Sequence, residues 1–145
     1  MTDVIGIDHI YIAVNDLTRS ERFYDIVMDV LGFKKNTFQI AGDAHVQYFN
    51  RHFGYVLRPA RTAIAHDSYA PGLHHFCFRV ETEADVRNAA QALAERHILV
   101  SEPRRFPEYA EDYFAFFFAD PDGIRLEVTN YRRERRERHD RWPAV

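Results

Sequence analysis

One short pattern, a histidine followed by alternating apolar residues, occurs twice in the chain. It reads Asp-His-Ile-Tyr-Ile-Ala-Val at 8–14 and His-His-Phe-Cys-Phe-Arg-Val at 74–80, so His9 and His75 occupy equivalent positions. Side chains alternate between the two faces of a strand, which predicts that each histidine lies opposite the Ile, Phe and Val side chains. Imidazole is a common metal ligand, and two imidazoles at equivalent positions of a repeat indicate a shared site.

A carboxylate in the last predicted strand is the candidate third ligand. Glu127 alternates with Leu126 and Val128, so it is predicted to face the same way as the two histidines. Two neutral imidazoles and one carboxylate supply three metal ligands and leave coordination positions open, and metal binding offsets the cost of burying the acid. The alternative is an ion pair between Glu127 and Arg125 or Arg58, and the spacing alone does not decide between the two.

The elements that must position these residues occur in the same order in both halves of the chain. In each half, the histidine strand is followed by apolar residues at helical spacing, which predicts one amphipathic helix. Three further strands are then predicted in each half, near 33–38, 44–50 and 55–59 in the first and near 98–101, 113–119 and 124–129 in the second.

Local signals mark the ends of these elements. At 18–21 and 82–85 a threonine precedes an acidic residue by three positions, the spacing of a helix capping box. The Asp-Pro-Asp-Gly sequence at 120–123 predicts a tight turn. The chain therefore predicts an α+β fold of paired βαβββ modules, at about 5–62 and 72–130, which form an open, barrel-like curved sheet with the helices outside.

Length and composition are those of a single globular domain spanning 1–145. Apolar residues make up 46% of the chain, charged residues 28%, and the formal net charge is −3, so neither nucleic acid nor a membrane is expected as a partner. Arginines alternate with acidic residues near the end, which predicts an Arg-rich, solvated C-terminal helix or tail at 131–145. The single cysteine, Cys77, and the lack of an evident signal sequence favour a cytoplasmic location.

These motifs together resemble the vicinal oxygen chelate superfamily, which includes glyoxalases, fosfomycin-resistance thiol transferases, extradiol dioxygenases, methylmalonyl-CoA epimerases and bleomycin-resistance proteins. The resemblance covers about 5–130 and rests on 8–14, 20–33, 72–76 and 120–127. It implies one divalent metal ion (Zn, Ni, Mn or Fe(II)) that is chelated by two neighbouring oxygens of a small-molecule substrate, and it implies a homodimer. The metal ligands that it implies are His9, His75 and Glu127.

The chain departs from two branches of this superfamily. Many glyoxalases and epimerases have a fourth ligand whose place falls here at Arg58, and a guanidinium has no lone pair to offer a metal. Extradiol dioxygenases have a tyrosine at the place of Phe117, and here Tyr113 or Tyr109 would have to replace it. A four-ligand enzyme is therefore disfavoured, and a dioxygenase is less favoured but keeps its three ligands.

Several polar residues are candidates for catalysis or for substrate binding at this site. The candidate catalytic residues are Glu127, Arg58 and Tyr113. The candidate substrate-binding residues are Arg58, Arg125, Tyr48 and Tyr11. Either of the two arginines could bind an anionic group of a substrate or form a structural ion pair. The general base is not assigned, and His74 is expected to face the helix side of its strand.

Two classes of function follow from this pattern. The first is a divalent-metal-dependent enzyme of the glyoxalase/dioxygenase superfamily, with lyase or isomerase, thiol-transfer and ring-cleaving dioxygenase reactions all open. The alternative is a metal-free, bleomycin-resistance-type protein that binds a small molecule. Relatives of the second class generally lack the three ligands, so their presence favours the enzyme.

Overall fold

The computed structural model describes residues 1–143 and contains eight strands and three helices. The first half comprises β1 (His9–Val14), α1 (Leu17–Val30), β2 (Lys34–Ile40), β3 (Asp43–Phe49) and β4 (Gly54–Pro59). The second half comprises β5 (His75–Val80), α2 (Glu83–Glu95), β6 (Arg104–Arg105), β7 (Phe114–Ala119), β8 (Arg125–Asn130) and α3 (Arg133–Asp140). The predicted α+β class with paired βαβββ modules is confirmed.

Each half forms its own four-stranded sheet with the same strand order. In the first sheet the order is β1-β4-β3-β2, and in the second it is β5-β8-β7-β6. The first and last long strands of each half are parallel neighbours, β1 with β4 and β5 with β8. This topology places the strand that begins with a histidine directly beside the strand that ends the module.

The two faces of each sheet differ in what covers them. Helix α1 lies on one face of the first sheet, where Tyr24, Val27 and Met28 are fully buried. Helix α2 buries Val86, Ala89, Ala90 and Leu93 in the second half. The alternation of each strand then turns its polar residues away from the helix, as the sequence predicts.

Helices α1 and α2 each begin at a side chain that is a strong N-cap. Thr82 and Asp85 form the predicted capping box at the start of α2, with each side chain bonded to the backbone of the other. Helix α1 differs, because its N-cap is Asp16, whose side chain accepts from the Arg19 backbone N–H, and not Thr18. Aspartate is at least as good an N-cap as threonine, so the helix begins earlier than predicted.

The predicted strand at 98–101 is wrong. The edge strand β6 comprises only Arg104–Arg105, which pair with β7. Proline cannot donate a backbone hydrogen bond, and Pro103 directly precedes this short strand. Ser101 still pairs with Phe117 by donating its backbone N–H to the Phe117 carbonyl, while its hydroxyl oxygen accepts from the Phe117 N–H.

The chain divides into two compact units. The first unit comprises Thr2–His66 with the turn Asp120–Gly123, and the second comprises Asp67–Ala119, the chain from Ile124 onward and Met1. The predicted single domain and its module boundaries stay predictions. Within residues 1–143, no helix combines the length and the apolar character needed to cross a membrane. The predicted Arg-rich end forms helix α3, and residues 144 and 145 lie outside the described part.

Candidate metal centre

The second unit brings a histidine and a glutamate into direct contact. Strands β5 and β8 are parallel neighbours in which Cys77 lies opposite Glu127 and His75 lies opposite Arg125. His75 and Glu127 therefore share one face of the sheet, on adjacent strands. The Nε2 atom of His75 lies 3.4 Å from the Oε2 atom of Glu127. This is the side of the sheet on which the alternation predicts Glu127.

The separation of these two atoms fits a shared metal ion. Ligand atoms at about 2.0–2.2 Å from a tetrahedral ion lie about 3.4 Å apart from each other. The two atoms are also of the right chemistry, because imidazole nitrogen and carboxylate oxygen are standard ligands of Zn²⁺ and of the neighbouring divalent transition metals. Two ligands of the predicted three are thus arranged as a bound ion would require.

The carboxylate of Glu127 is held by a second residue. Glu127 is 2% exposed, and its Oε1 atom accepts a hydrogen bond from the hydroxyl of Tyr113, which directly precedes β7. Burial and the hydrogen bond to Glu127 raise the pKa of Tyr113 well above its usual value, so the phenol remains a donor at neutral pH. With Oε1 occupied, Oε2 is the oxygen that faces His75.

Cys77 and Arg132 complete the surroundings of Glu127. Burial and the charge of Glu127 raise the pKa of the Cys77 thiol, and the nearby charge of Arg132 opposes this only in part. The Cys77 thiol is therefore protonated at neutral pH, and a protonated thiol is a poor nucleophile. The guanidinium of Arg132 lies 4.5 Å from the centre of the Tyr113 ring. The sequence gives no sign of this contact, because Arg132 belongs to a run of arginines that resembles a solvated surface.

Both histidines use Nδ1 for a neighbouring residue. The Nδ1 atom of His75 lies 2.8 Å from Nδ1 of His74, and the Nδ1 atom of His9 lies 2.6 Å from Oδ2 of Asp8. A histidine that donates from Nδ1 presents the lone pair of Nε2, the form that binds a metal. His9 has a carboxylate acceptor for this donation, whereas only one of the two Nδ1 atoms in the His74–His75 contact can donate. The expectation that His74 faces the helix side stays a prediction, because β5 begins at His75 and strand alternation does not extend to the exposed His74.

In the first unit, His9 lies at the start of β1 beside an open cavity. Its side chain is 53% exposed, and the cavity of 620 Å³ is lined by Ile5–His9, Gln47 and the segment from Phe49 to Gly54. Gly54 pairs with His9 across the sheet, and a Cβ atom there would lie 3.2 Å from the Gln47 amide nitrogen. A side chain at this position would therefore press on the residues beside His9.

Three aromatic rings continue the His9 face of the first sheet. The ring of Tyr11 lies 5.6 Å from that of His9 and 5.7 Å from that of His45, with edge-to-face packing in both pairs. The buried ring of His45 in turn stacks on Phe38 at 4.9 Å. Tyr11 is 42% exposed, so it remains accessible as a candidate substrate contact.

Two of the other candidates are held by contacts of their own. Arg58 forms an ion pair of 2.6 Å with Asp43 and also donates to the Pro59 carbonyl. This is the structural ion pair that the sequence left open. In the second unit, the exposed Arg125 donates to the hydroxyl of Tyr69 at 3.3 Å and lies opposite His75 in the sheet.

The substrate-binding role predicted for Tyr48 does not fit the structure. Its hydroxyl donates to Asp25 at 2.7 Å and lies near the Glu21 carbonyl, so it points toward helix α1. Strand alternation in the sequence indicates this placement. Tyr48 lies on the same face of β3 as Val46, and His45 and Gln47 lie on the other face. Burial and the hydrogen bond to Asp25 raise the pKa of Tyr48, so its phenol stays protonated near neutral pH.

The candidate residues fall into two groups that match the two units. The second unit brings together His75, Glu127, Tyr113 and Arg125. The first unit carries His9, Tyr11 and Arg58 on one strand pair. Neither unit contains, within residues 1–143, a group of three His, Cys, Asp or Glu side chains that could hold a metal ion by itself. The three-ligand site that adds His9 to His75 and Glu127 stays a prediction.

Known proteins share this architecture. The chain is 27% identical over 125 residues to the uncharacterized protein YqjT of Bacillus subtilis (strain 168). The aligned stretch covers 83% of this chain and 95% of that protein. A glyoxalase/bleomycin resistance protein/dioxygenase domain from Frankia sp. EAN1pec superposes with a TM-score of 0.74 at 24% identity, over 90% of this chain and all of that one. Lactoylglutathione lyase from Agrobacterium tumefaciens superposes with a TM-score of 0.61 at 23% identity, over 89% and 94% of the two chains.

A family model covers both modules. It describes the Glyoxalase/Bleomycin resistance protein/Dioxygenase superfamily and matches residues 6–128, from just before the first histidine strand to the strand that carries Glu127. The matched stretch thus includes both histidines and the candidate carboxylate ligand. From the sequence match and from the duplicated βαβββ fold, we conclude that this chain belongs to the Glyoxalase/Bleomycin resistance protein/Dioxygenase superfamily.

Proposed function

We propose that this protein is a divalent-metal-dependent enzyme that acts on a small oxygenated substrate. His75 and Glu127 supply two ligands, and His9 supplies the third from the same chain or from the partner in a homodimer. The observation that carries the proposal is the 3.4 Å separation between His75 Nε2 and Glu127 Oε2. Two such atoms on adjacent strands, with the other carboxylate oxygen already bonded to Tyr113, support a metal site at this position.

A divalent ion held by these residues would supply a Lewis acid for polarising a substrate oxygen. The chain's own residues orient the reactants. Tyr113 fixes the carboxylate of Glu127. Arg125, which is exposed and lies opposite His75, would bind a polar group of the substrate. Tyr11 offers an accessible ring beside His9. The proposal covers lyase or isomerase, thiol-transfer and ring-cleaving dioxygenase reactions on a small molecule in the cytoplasm.

Similarity of fold to a lactoylglutathione lyase supports the lyase reaction among these. The ion pair between Arg58 and Asp43 supports a site with three protein ligands, because the residue at the fourth-ligand place of many glyoxalases is already engaged elsewhere. Three protein ligands leave coordination positions for the two neighbouring oxygens of a substrate.

Metal content tests this function directly. Protein purified without a histidine tag is incubated with Zn²⁺, Ni²⁺, Mn²⁺ or Fe²⁺ in turn, dialysed, and analysed by elemental mass spectrometry. We expect about one ion per set of His9, His75 and Glu127, and its loss in Glu127→Gln and in His75→Ala. His139→Ala is the matched control, since that histidine is 78% exposed on helix α3. Wild-type protein that retains none of the four metals would contradict the proposal and favour a metal-free small-molecule binding protein.

A further inference from the structure

Arg132 is a buried cation that forms no ion pair within residues 1–143. It is 9% exposed, and its Nε atom is buried with no hydrogen-bond partner in the part of the chain that the structure describes. Two half-buried arginines of this protein, in contrast, are paired with carboxylates. Arg58 binds Asp43, and Arg136 binds Glu81. No carboxylate of residues 1–143 forms such a pair with Arg132.

Burial of an unpaired guanidinium is costly, and the local surroundings do not offset the cost. The face of the Tyr113 ring attracts the guanidinium, but a ring face supplies neither a negative charge nor an oxygen acceptor for the guanidinium N–H groups. Arg132 is also the N-cap residue of helix α3, where the helix dipole adds positive potential. An isolated buried charge normally binds a counterion or is paired. A negatively charged group beside Arg132 would offset this cost.

The surroundings of Arg132 belong to the metal-binding face. Tyr113 contacts both groups, with its ring beneath Arg132 and its hydroxyl bonded to Glu127. The same face continues along β5 to the exposed Arg79, which lies opposite the buried Thr129. A molecule bound at Glu127 and extending past the Tyr113 ring would meet positive charge.

We propose that Arg132 is an anion-binding subsite that holds a carboxylate, phosphate or phosphonate group of the substrate. This inference rests on the proposed metal-dependent function and narrows its substrate class to oxygenated molecules that also carry an acidic group. The oxygens that chelate the metal lie at the Glu127 end, and the acidic group lies at the Arg132 end. A guanidinium suits this role because its N–H groups bind two oxygens of one oxyanion at the same time.

An anion titration followed by NMR tests the subsite. Wild-type protein, as purified and again after chelator treatment, is titrated with sodium methylphosphonate and, separately, with sodium acetate. Sodium chloride holds the ionic strength constant. The signals are the Arg132 Nε–H resonance and the backbone amides at the start of helix α3. We expect saturable shifts, and at least tenfold weaker binding in Arg132→Met, because a hydrogen bond between charged groups contributes about 1.5–3 kcal/mol.

Arg133→Met is the matched control, because the neighbouring Arg133 side chain is 73% exposed and is already paired with acidic residues. This variant is expected to bind both anions with unchanged affinity. If Arg132→Met and Arg133→Met weaken anion binding equally, the effect arises from surface charge alone and the inference is overturned. So would the absence of saturable binding of both anions to wild-type protein.

Two further measurements keep the outcomes separate. Should circular dichroism show that Arg132→Met does not fold, Arg132→Lys replaces it. A lysine keeps the charge but not the two-pronged geometry, so weaker saturable binding supports the inference and wild-type affinity overturns it. Metal content is measured on every sample. Arg132→Met that loses its metal as well would show a structural role and overturn the subsite. Anion binding without any metal uptake would instead contradict the proposed metal centre.

Discussion

The hydroxyl of Tyr113 donates to Oε1 of Glu127, while Oε2 of the same carboxylate faces Nε2 of His75 at 3.4 Å. The two oxygens of one buried side chain thus have different tasks. One is fixed by a donor that cannot ionise near neutral pH, and the other is presented to the imidazole. Partners that orient a ligand in this way commonly change metal affinity by about 10–100-fold when they are removed.

Tyr113→Phe should therefore weaken metal binding without removing a ligand. The phenylalanine keeps the ring beneath Arg132 but leaves Oε1 of Glu127 without its donor. We expect the dissociation constant for Zn²⁺, measured by competition with a chromophoric chelator, to rise about 10–100-fold. Tyr109→Phe is the control, because Tyr109 is 62% exposed. An unchanged affinity in Tyr113→Phe would show that the hydrogen bond does not position the ligand.

Much of this arrangement can be predicted from the repeat in the sequence. Two copies of the histidine strand predict two βαβββ modules, and strand alternation predicts that His75 and Glu127 share a face. The Asp-Pro-Asp-Gly turn is found where it is predicted, with Gly123 at a φ of +84°. These features follow from local rules of backbone geometry, which depend only on residues close in the sequence.

Other features depend on contacts that no local pattern encodes. Arg132 is buried because the ring of Tyr113, far away in the sequence, lies beneath it. His74 lies beyond the end of its strand, so alternation says nothing about its direction. The short β6 reflects the proline before it and the ability of Ser101 to replace a backbone acceptor with its hydroxyl. Such details are set by tertiary packing.

The thiol of Cys77 should make stability depend on pH in the alkaline range. Burial and the charge of Glu127 raise the folded-state pKa above the ordinary value of 9.0. The unfolded chain therefore releases this proton first as pH rises, and the stability linked to the neutral thiol is complete below that value and falls above it. Urea unfolding between pH 7 and 10.5 should show a decline that is smaller in Cys77→Ala. An identical decline in both proteins would contradict the assignment.

Tyr24 should stabilise the first unit through its hydroxyl. That hydroxyl is buried, lies 3.0 Å from the Tyr55 hydroxyl, and donates to Asp120 at 2.9 Å. Tyr24→Phe removes both of these hydrogen bonds from buried groups, which costs about 1–3 kcal/mol in the free energy of unfolding. Urea denaturation measures the loss. Tyr69→Phe, at a position that is 81% exposed, is expected to change stability little.

Asp8 should strengthen metal binding through its contact with His9. Its carboxylate lies 2.6 Å from Nδ1 of His9, so it holds the proton there and presents Nε2 as the ligand atom. Because the Asp8 side chain is 96% exposed, we expect the lower end of the usual effect, about a tenfold weaker affinity for Zn²⁺ in Asp8→Ala. Asp8→Asn retains an acceptor oxygen and should lose less.

The tautomer of His9 separates this positioning role from a general loss of charge. In metal-free wild-type protein, ¹⁵N NMR should show His9 protonated at Nδ1, and Asp8→Ala should shift the ring toward the Nε2-protonated form. Asp3→Ala removes a carboxylate from the same exposed N-terminal segment and should leave both the tautomer and the metal affinity unchanged. A weaker affinity in Asp8→Ala with an unaltered tautomer would mean that Asp8 acts only through its charge.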